Sequence, residues 1–427
     1  MRGFFKHSPT AKRCHILGML KKQASRPHFS YHTPGHKRRG FDITELSYSD
    51  NLSCPEGVIA LAQKETAEIL GAEKSFFLTD GSTAGVLSML WVLKERGCKK
   101  IAAPVLSHKS FFNGCALLGL IPVLFETSVD RLPCALSKES VLLSIQEADA
   151  LFLTSPDYYG NVADLRGISS LCKSLNKPFI VDGAHGGHLH FNKDMYAGNY
   201  ADMWVDGVHK SLPALTQGAV VSAKNGYGDT LQCAVDIFRT TSPSYPILAS
   251  VEYAVKYPQN HTLEAFVAHL KATDSRFYNS EDYTKLCVYS SDGFLLQAAA
   301  EASGLYPEFS DQNVVCFYLS PTQKIKDVKR ILHFLQTMEK QGLVLQKKDV
   351  QRIPAPAKLF DLTDVETEQI PLLQAEGRIC AKTCGLFPPC TPLLRAGEMI
   401  SQEKLTALKN APNHFGVDND KITVVKR

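Results

Sequence analysis

The chain has 427 residues, 44% hydrophobic and 21% charged, with a formal net charge of +4. This is ordinary soluble globular composition, enough for one large domain with a smaller companion or for two or three domains. So small a net charge gives no bulk argument for nucleic acid, and no apolar run approaches the roughly 20 residues of a membrane helix.

In chain order, the first forty residues carry ten Lys or Arg, and no acid precedes Asp42. Such a segment suits an organelle presequence or a basic arm packed on a partner subunit. It runs straight into a motif at His32, which favours the arm. The apolar run from Ile16 to Leu20 is too short for a secretory signal. The 12 cysteines are scattered without a C-x-x-C pair. Cys380, Cys384 and Cys390 lie closest together but lack partners at zinc-site spacing. Reduced thiols in a cytoplasm are the expectation.

From about residue 65 to 223, strand-length apolar runs alternate with helical patterns. Strands are expected at 74–79, 99–105, 121–126, 148–154, 178–181, 203–208 and 218–222. Helices are expected at 84–96, where Leu87, Leu90 and Trp91 fall at i, i+3, i+4, and at 110–120 and 165–176. Such alternation implies an α/β fold with a mostly parallel sheet covered on both faces. Ligands in such folds collect beyond the carboxyl ends of the strands. Helices at 245–257 and 261–274, a strand at 313–320 and a helix at 324–341 follow. A Pro- and Cys-rich stretch begins at Ile353. The expected domains are an N-terminal arm (1–60) contributing to a dimer and its active site, a large domain (61–300), and a smaller α+β domain (301–427).

Three segments carry chemistry. Asp80-Gly81-Ser82-Thr83-Ala84-Gly85 follows a strand and opens a helix. Its small residues, hydroxyls and helix N-terminus suit a phosphate cup, although a plain helix cap has the same look. Asp182 ends an apolar strand, where a carboxylate needs a partner such as a protonated pyridine nitrogen. With His185 and His188 it is alternatively a metal-ligand set. Lys210 lies 28 residues later in an apolar setting that lowers an amine's pKa, and a neutral amine attacks an aldehyde. Phosphate seat, ring-nitrogen partner and imine lysine together meet the needs of pyridoxal 5′-phosphate (PLP). Two flanking segments fit the same site. His108, in Ser107-His108-Lys109-Ser110, could stack on a planar ring or simply cap a helix. Thr241 and Ser242, before Pro243, could reach a phosphate, across a dimer interface or otherwise, or start a helix.

The ordered set of motifs resembles the fold-type-I Orn/Lys/Arg decarboxylases in their short bacterial form. The set is His32-Thr33-Pro34-Gly35-His36-Lys37, the cup at Asp80, Ser107-His108-Lys109-Ser110, Thr154-Ser155-Pro156-Asp157-Tyr158-Tyr159-Gly160, Asp182-Gly183-Ala184-His185-Gly186, His209-Lys210, Thr241-Ser242-Pro243-Ser244-Tyr245 and Pro388-Pro389. The resemblance implies an aspartate-aminotransferase-like fold without an N-terminal wing domain, and a homodimer with shared active sites. It implies that Lys210 holds PLP as a Schiff base, Asp182 pairs with the pyridine nitrogen and His108 stacks on the ring. Gly81, Ser82, Thr83 and His209 belong to the phosphate seat, Ala184 packs on the ring's other face, and His185, Thr241 and Ser242 complete the cofactor site.

Three departures stand out. Gly207 and Val208 replace a Ser-Thr pair. Gly183 stands where the family has Glu. Cys390 and Ala396 replace glycine and proline near the C-terminus, where a cysteine adopts positive φ less readily than glycine. The implied reaction is decarboxylation of lysine, arginine or ornithine, with Glu45, Asp50 and Glu398 as candidate acids for a basic side chain. The other readings are a different PLP reaction (transamination, elimination or aldol cleavage), a non-catalytic PLP-binding relative, or a metal hydrolase built on Asp182, His185 and His188.

Overall fold

Seven short strands form the central sheet: β1 (Lys74–Leu78), β2 (Lys100–Pro104), β3 (Ile121–Phe125), β4 (Ala150–Thr154), β5 (Phe179–Gly183), β6 (Met203–Asp206) and β7 (Ala219–Ala223). This computed structural model describes residues 4–126, 138–311, 313–346, 359–360, 362, 365–386, 391–410 and 413–426. Ile353 and the expected Pro388, Pro389 and Cys390 segment lie outside the described residues. The strand order is β1-β7-β6-β5-β4-β2-β3. β7 runs antiparallel to both of its neighbours, and the other pairs are parallel.

The apolar runs become strands because both faces of the sheet are covered. Alternate side chains feed two cores. Phe179, Val181 and Trp204 point into one, with Leu17, Leu248 and Val251. Ile180, Met203 and Val205 point into the other, with Leu90, Phe111 and Phe152. The N-terminal helix His15–Ala24 buries Ile16, Leu17 and Leu20 in the first core. Its opening amides, His15 and Ile16, donate to the Glu252 carboxylate at 2.7 and 2.9 Å. The start of the expected arm is thus fastened to its own chain.

A separate core gathers Leu263, Val267, Leu286, Val288, Leu296, Val315, Phe317 and Leu335. It is built on β8 (Lys285–Tyr289), β9 (Phe309–Ser310) and β10 (Val314–Tyr318), in the order β8-β10-β9, with helices His261–Thr273, Gly293–Ala302 and Ile325–Lys340. A boundary at residue 301 cuts through the helix Gly293–Ala302, and β8 pairs in full with β10. By packing, therefore, the second unit starts near residue 260. A further core, around Leu372, Cys380, Cys384, Leu394 and Val424, belongs to the C-terminal strands. Cys380 and Cys384 each donate Sγ to the Lys382 carbonyl at 3.0 Å. Among the described residues, no helix is long and apolar enough to cross a membrane.

Candidate active site

The carboxyl ends of β1, β4, β5 and β6 converge on one place. The helix Gly81–Glu95 starts directly after β1, with Gly81 at φ +75°. Asp80 precedes the helix but does not cap it with its side chain. Its Oδ2 accepts instead from the Thr240 amide at 3.3 Å. Gly81 N donates to the Gln217 carbonyl at 2.9 Å, which leaves the amides of Ser82 and Thr83 for an anion that the helix dipole favours. Ser82 Oγ is buried and has no hydrogen-bond partner among the described residues. Thr83 is exposed. The contact between Asp80 and Thr240 also brings the loop with Thr241 and Ser242 beside the cup of its own chain, where both side chains are exposed.

Asp182 is buried near the end of β5. Its Oδ1 accepts from the Ala184 amide at 3.1 Å. Burial pushes its carboxyl up, while the charge of Lys210 pulls it down. A buried acid of this kind becomes a firm anion only when a cation is seated against it. On the adjacent strand Asp206 is also buried, and its pKa is pushed up to about 7 by burial, with Asp182 adding to the push. Tyr196 Oη and Trp204 Nε1 donate to its Oδ2 at 2.6 and 3.1 Å.

Lys210 lies on the single helical turn Val208–Ser211, immediately after β6. Its Nζ is 3.1 Å from His185 Nε2. Burial, then the charges of Lys210 and Lys285, hold His185 neutral, well below the usual imidazole range. An uncharged His185 thus lies in hydrogen-bond contact with Lys210. His108 caps the helix Lys109–Leu118, its Nδ1 accepting from the Ser110 amide at 3.2 Å. Burial, with Lys210 adding, lowers its pKa to about 3, so its ring is an uncharged aromatic face. His209 directs Nδ1 at the Gly218 carbonyl, 2.8 Å away. That Nδ1 must carry the proton, so only Nε2 is left to face a phosphate.

Gly207 shows why a serine is missing there. A Cβ at this position would lie 2.5 Å from the Ala184 carbonyl and 2.8 Å from Ser82 Oγ. The cup, the Asp182 turn and the lysine turn are packed together at this glycine. These features fit PLP: a phosphate at the cup with its orphaned Ser82 hydroxyl, a cationic ring nitrogen at Asp182, and an aldehyde within reach of Lys210.

The metal alternative fails on geometry. His188 Nε2 is bonded to Asp282 Oδ1 at 2.8 Å. Among the described residues Asp182, His185 and His188 do not gather their ligand atoms, whereas His15, Glu65 and Glu252 do. Lys256 fills that second cluster, its ammonium 2.5 Å from Glu65 and 2.7 Å from Glu252.

Two of the three candidate distal acids have other work. Asp50 accepts from the amides of Glu56, Gly57 and Ile59 at 3.0, 2.9 and 2.8 Å, and so seats the helix Val58–Leu70. Glu398 is buried and pairs with Arg395 at 3.1 Å and with Lys404. Glu45 accepts from Thr44 Oγ1 at 2.6 Å. The motif from His32 to Lys37 makes local contacts, such as His36 Nε2 to Asp42 Oδ2 at 3.0 Å.

Sequence reasoning gave no role to Tyr318, Lys285 or Asp282, which reach the site from the second unit. Tyr318 lies parallel to His185, 9° between planes and 5.7 Å between centroids. No local pattern marks such residues; only the pairing of β8 with β10 delivers them.

A family model described as the Orn/Lys/Arg decarboxylase major domain matches residues 40–276. An arginine decarboxylase of Bacillus subtilis (strain 168) is 29% identical over 450 residues, 91% of each chain. The uncharacterized protein YaaO of the same organism is 30% identical over 447 residues, 91% of this chain and 92% of its own. In structure, the constitutive lysine decarboxylase of Escherichia coli superposes with a TM-score of 0.73 at 17% identity, covering 97% of this chain and 82% of that one.

Proposed function

The chain belongs to the Orn/Lys/Arg decarboxylase family and is a PLP-dependent decarboxylase; from that premise we propose that Lys210 carries the cofactor and that the substrate is arginine, lysine or ornithine, released as the corresponding amine. The observation that carries the reading is Lys210 Nζ, 3.1 Å from a neutral His185, at the strand ends where Asp182, His108 and the Ser82 cup meet.

Bound PLP supplies an electron sink for the breaking bond at the substrate's Cα. The protein's own residues aim and hold. Asp182 keeps the ring nitrogen protonated, since a buried carboxylate favours a cation against it. The amides of Ser82 and Thr83, with Ser82 Oγ, would bind the phosphate. His108 and Ala184 would lie against the ring. Lys210 would hold the cofactor's aldehyde, with His185 in hydrogen-bond contact with its Nζ. Asp182 and His185 are buried, which strengthens the charge interactions at these two groups.

The test has two arms. Borohydride reduction of the cofactor-loaded protein, followed by mass spectrometry, is expected to label Lys210; labelling of another lysine defeats the cofactor assignment. Incubation with arginine, lysine and ornithine is expected to yield agmatine, cadaverine or putrescine with CO2. A keto acid instead would mark a transaminase on the same scaffold. The proposal extends to a cytoplasmic homodimer with shared sites, supported by the family resemblance. It predicts a particle of twice 47.1 kDa in solution.

A further inference from the structure

Two side chains of the turn that follows β5, His185 and His188, are gripped from the second unit. Tyr318, on β10, stacks on His185 and donates its hydroxyl to the His185 carbonyl at 3.3 Å. Asp282, just before β8, accepts from His188 Nε2 at 2.8 Å and from the Thr284 amide at 2.8 Å. Lys285 joins the two grips: its Nζ is 3.2 Å from Asp282 Oδ2 and 3.5 Å from the Tyr318 ring centroid. Asp282, Lys285, His185 and His188 are all buried. Tyr158 meets the His185 ring edge-on at 5.2 Å.

This is costly to assemble. Burying a charge pair gains little net stability, and removing one partner leaves the other stranded. A lysine held over an aromatic ring gains a further cation–π attraction, more so when desolvated. The cluster acts on one atom that matters to the chemistry, His185 Nε2, the hydrogen-bond partner of Lys210. Tyr318 covers the imidazole and fixes its plane, and Lys285 places a positive charge close behind. Burial and the charges of Lys210, Lys285 and His108 discourage a proton on His185, and together they outweigh Asp282, which favours one.

We propose that Tyr318, backed by Lys285, is a positioning residue through which the second unit holds His185 in hydrogen-bond contact with the cofactor lysine. The inference rests on the assignment of Lys210 as that lysine. Its consequence is that the seating of the second unit against the sheet and the protonation of the linkage at Lys210 are tied together. If the stack is lost, water reaches His185, and its pKa climbs toward the ordinary histidine value of about 6.5. A proton on His185 then opposes positive charge on the nitrogen 3.1 Å away.

The experiment uses the cofactor-loaded protein and two variants, Tyr318→Leu and Tyr318→Phe. The readouts are the pH dependence of the cofactor's visible band, the cofactor dissociation constant and the melting temperature of the cofactor-free protein. Borohydride labelling of Lys210 in the unmodified protein is done first, and failure there defeats the cofactor assignment independently of Tyr318. Given labelling, the unmodified band is expected to show no inflection between about pH 5 and 7, where a free histidine titrates. Tyr318→Leu is expected to lose band intensity as pH falls through about 6 and to bind cofactor several-fold more weakly. Tyr318→Phe keeps the ring on His185 and is expected to titrate like the unmodified protein, even where its melting temperature drops. A Tyr318→Leu variant whose band titrates as the unmodified protein's does would overturn the proposal. So would a Tyr318→Phe variant that behaves like Tyr318→Leu.

Discussion

Ser82 and Gly207 approach so closely that a methyl group on the glycine would sit 2.8 Å from the serine hydroxyl. The same methyl would meet the Ala184 carbonyl at 2.5 Å, and a backbone atom cannot swing aside as a side-chain tip can. Gly207→Ala is therefore expected to lower stability by about 1–3 kcal/mol, as overpacking does, and to loosen the cofactor. Ser82→Ala removes only the hydroxyl. It is expected to leave the denaturation midpoint in place and to weaken cofactor binding roughly ten-fold, the scale of one hydrogen bond to an anion. Equilibrium denaturation and cofactor titration separate the two effects.

Asp206 gives a pH signature. Its unfolded carboxyl ionises near 3.8 and its folded one near 7, chiefly through burial. Between those values the native state keeps a proton that the unfolded chain has lost. This group's contribution therefore makes stability fall as pH rises from about 4 to about 7, and become flat beyond. Asp206→Asn cannot ionise. Its stability relative to the unmodified protein is expected to rise across that window and level off above it. Chemical denaturation at a series of pH values measures the difference directly.

Asp182→Asn keeps the size and the bond from the Ala184 amide but removes the anion. A ring nitrogen no longer held protonated makes a poor electron sink. The expected loss in kcat is roughly a hundred-fold or more, the scale of removing one preorganised charge-stabilising group. The cofactor should still be labelled on Lys210 by borohydride. Full turnover in this variant would remove Asp182 from the chemistry.

Asp50 was a candidate acid for a basic substrate, but its carboxylate is spent on backbone amides. Asp50→Ala is expected to cost about 2 kcal/mol, as the loss of a strong helix cap does. The KM of the folded fraction for its amino acid should not change. A rise in KM at undiminished stability would return Asp50 to the substrate pocket.

The sheet was readable because each of its strands is a local event. Ile180 and Val181 face opposite cores, and a run with no polar face is what a doubly covered strand requires. The cup, Asp182 and Lys210 were readable for a related reason: each lies within a few residues of a strand end, so sequence proximity stood in for spatial proximity. Tyr318, Lys285 and Asp282 had no such mark. They reach the site only because Cys287 pairs with Cys316 across β8 and β10, a register that nothing near either residue announces. The same pairing explains why a domain boundary drawn at 301 fell too late. Glu398 was misjudged because an acid near a functional motif looks free until its cations are known, and Arg395 and Lys404 are both supplied by the fold.

The reversed direction of β7 has a mechanical consequence. A parallel successor to β6 would force the chain to travel to the far end of the sheet and back. Because β7 returns at once, residues 207–218 form a short bridge with both feet planted in adjacent rigid strands. Gly218 grips His209 from the returning side, and Gln217 grips Gly81. The amine at position 210 therefore sits on a span fixed at both abutments. Lengthening that span by even a residue or two would slacken both abutments together, whereas the same insertion in an outer connection would leave the amine where it is.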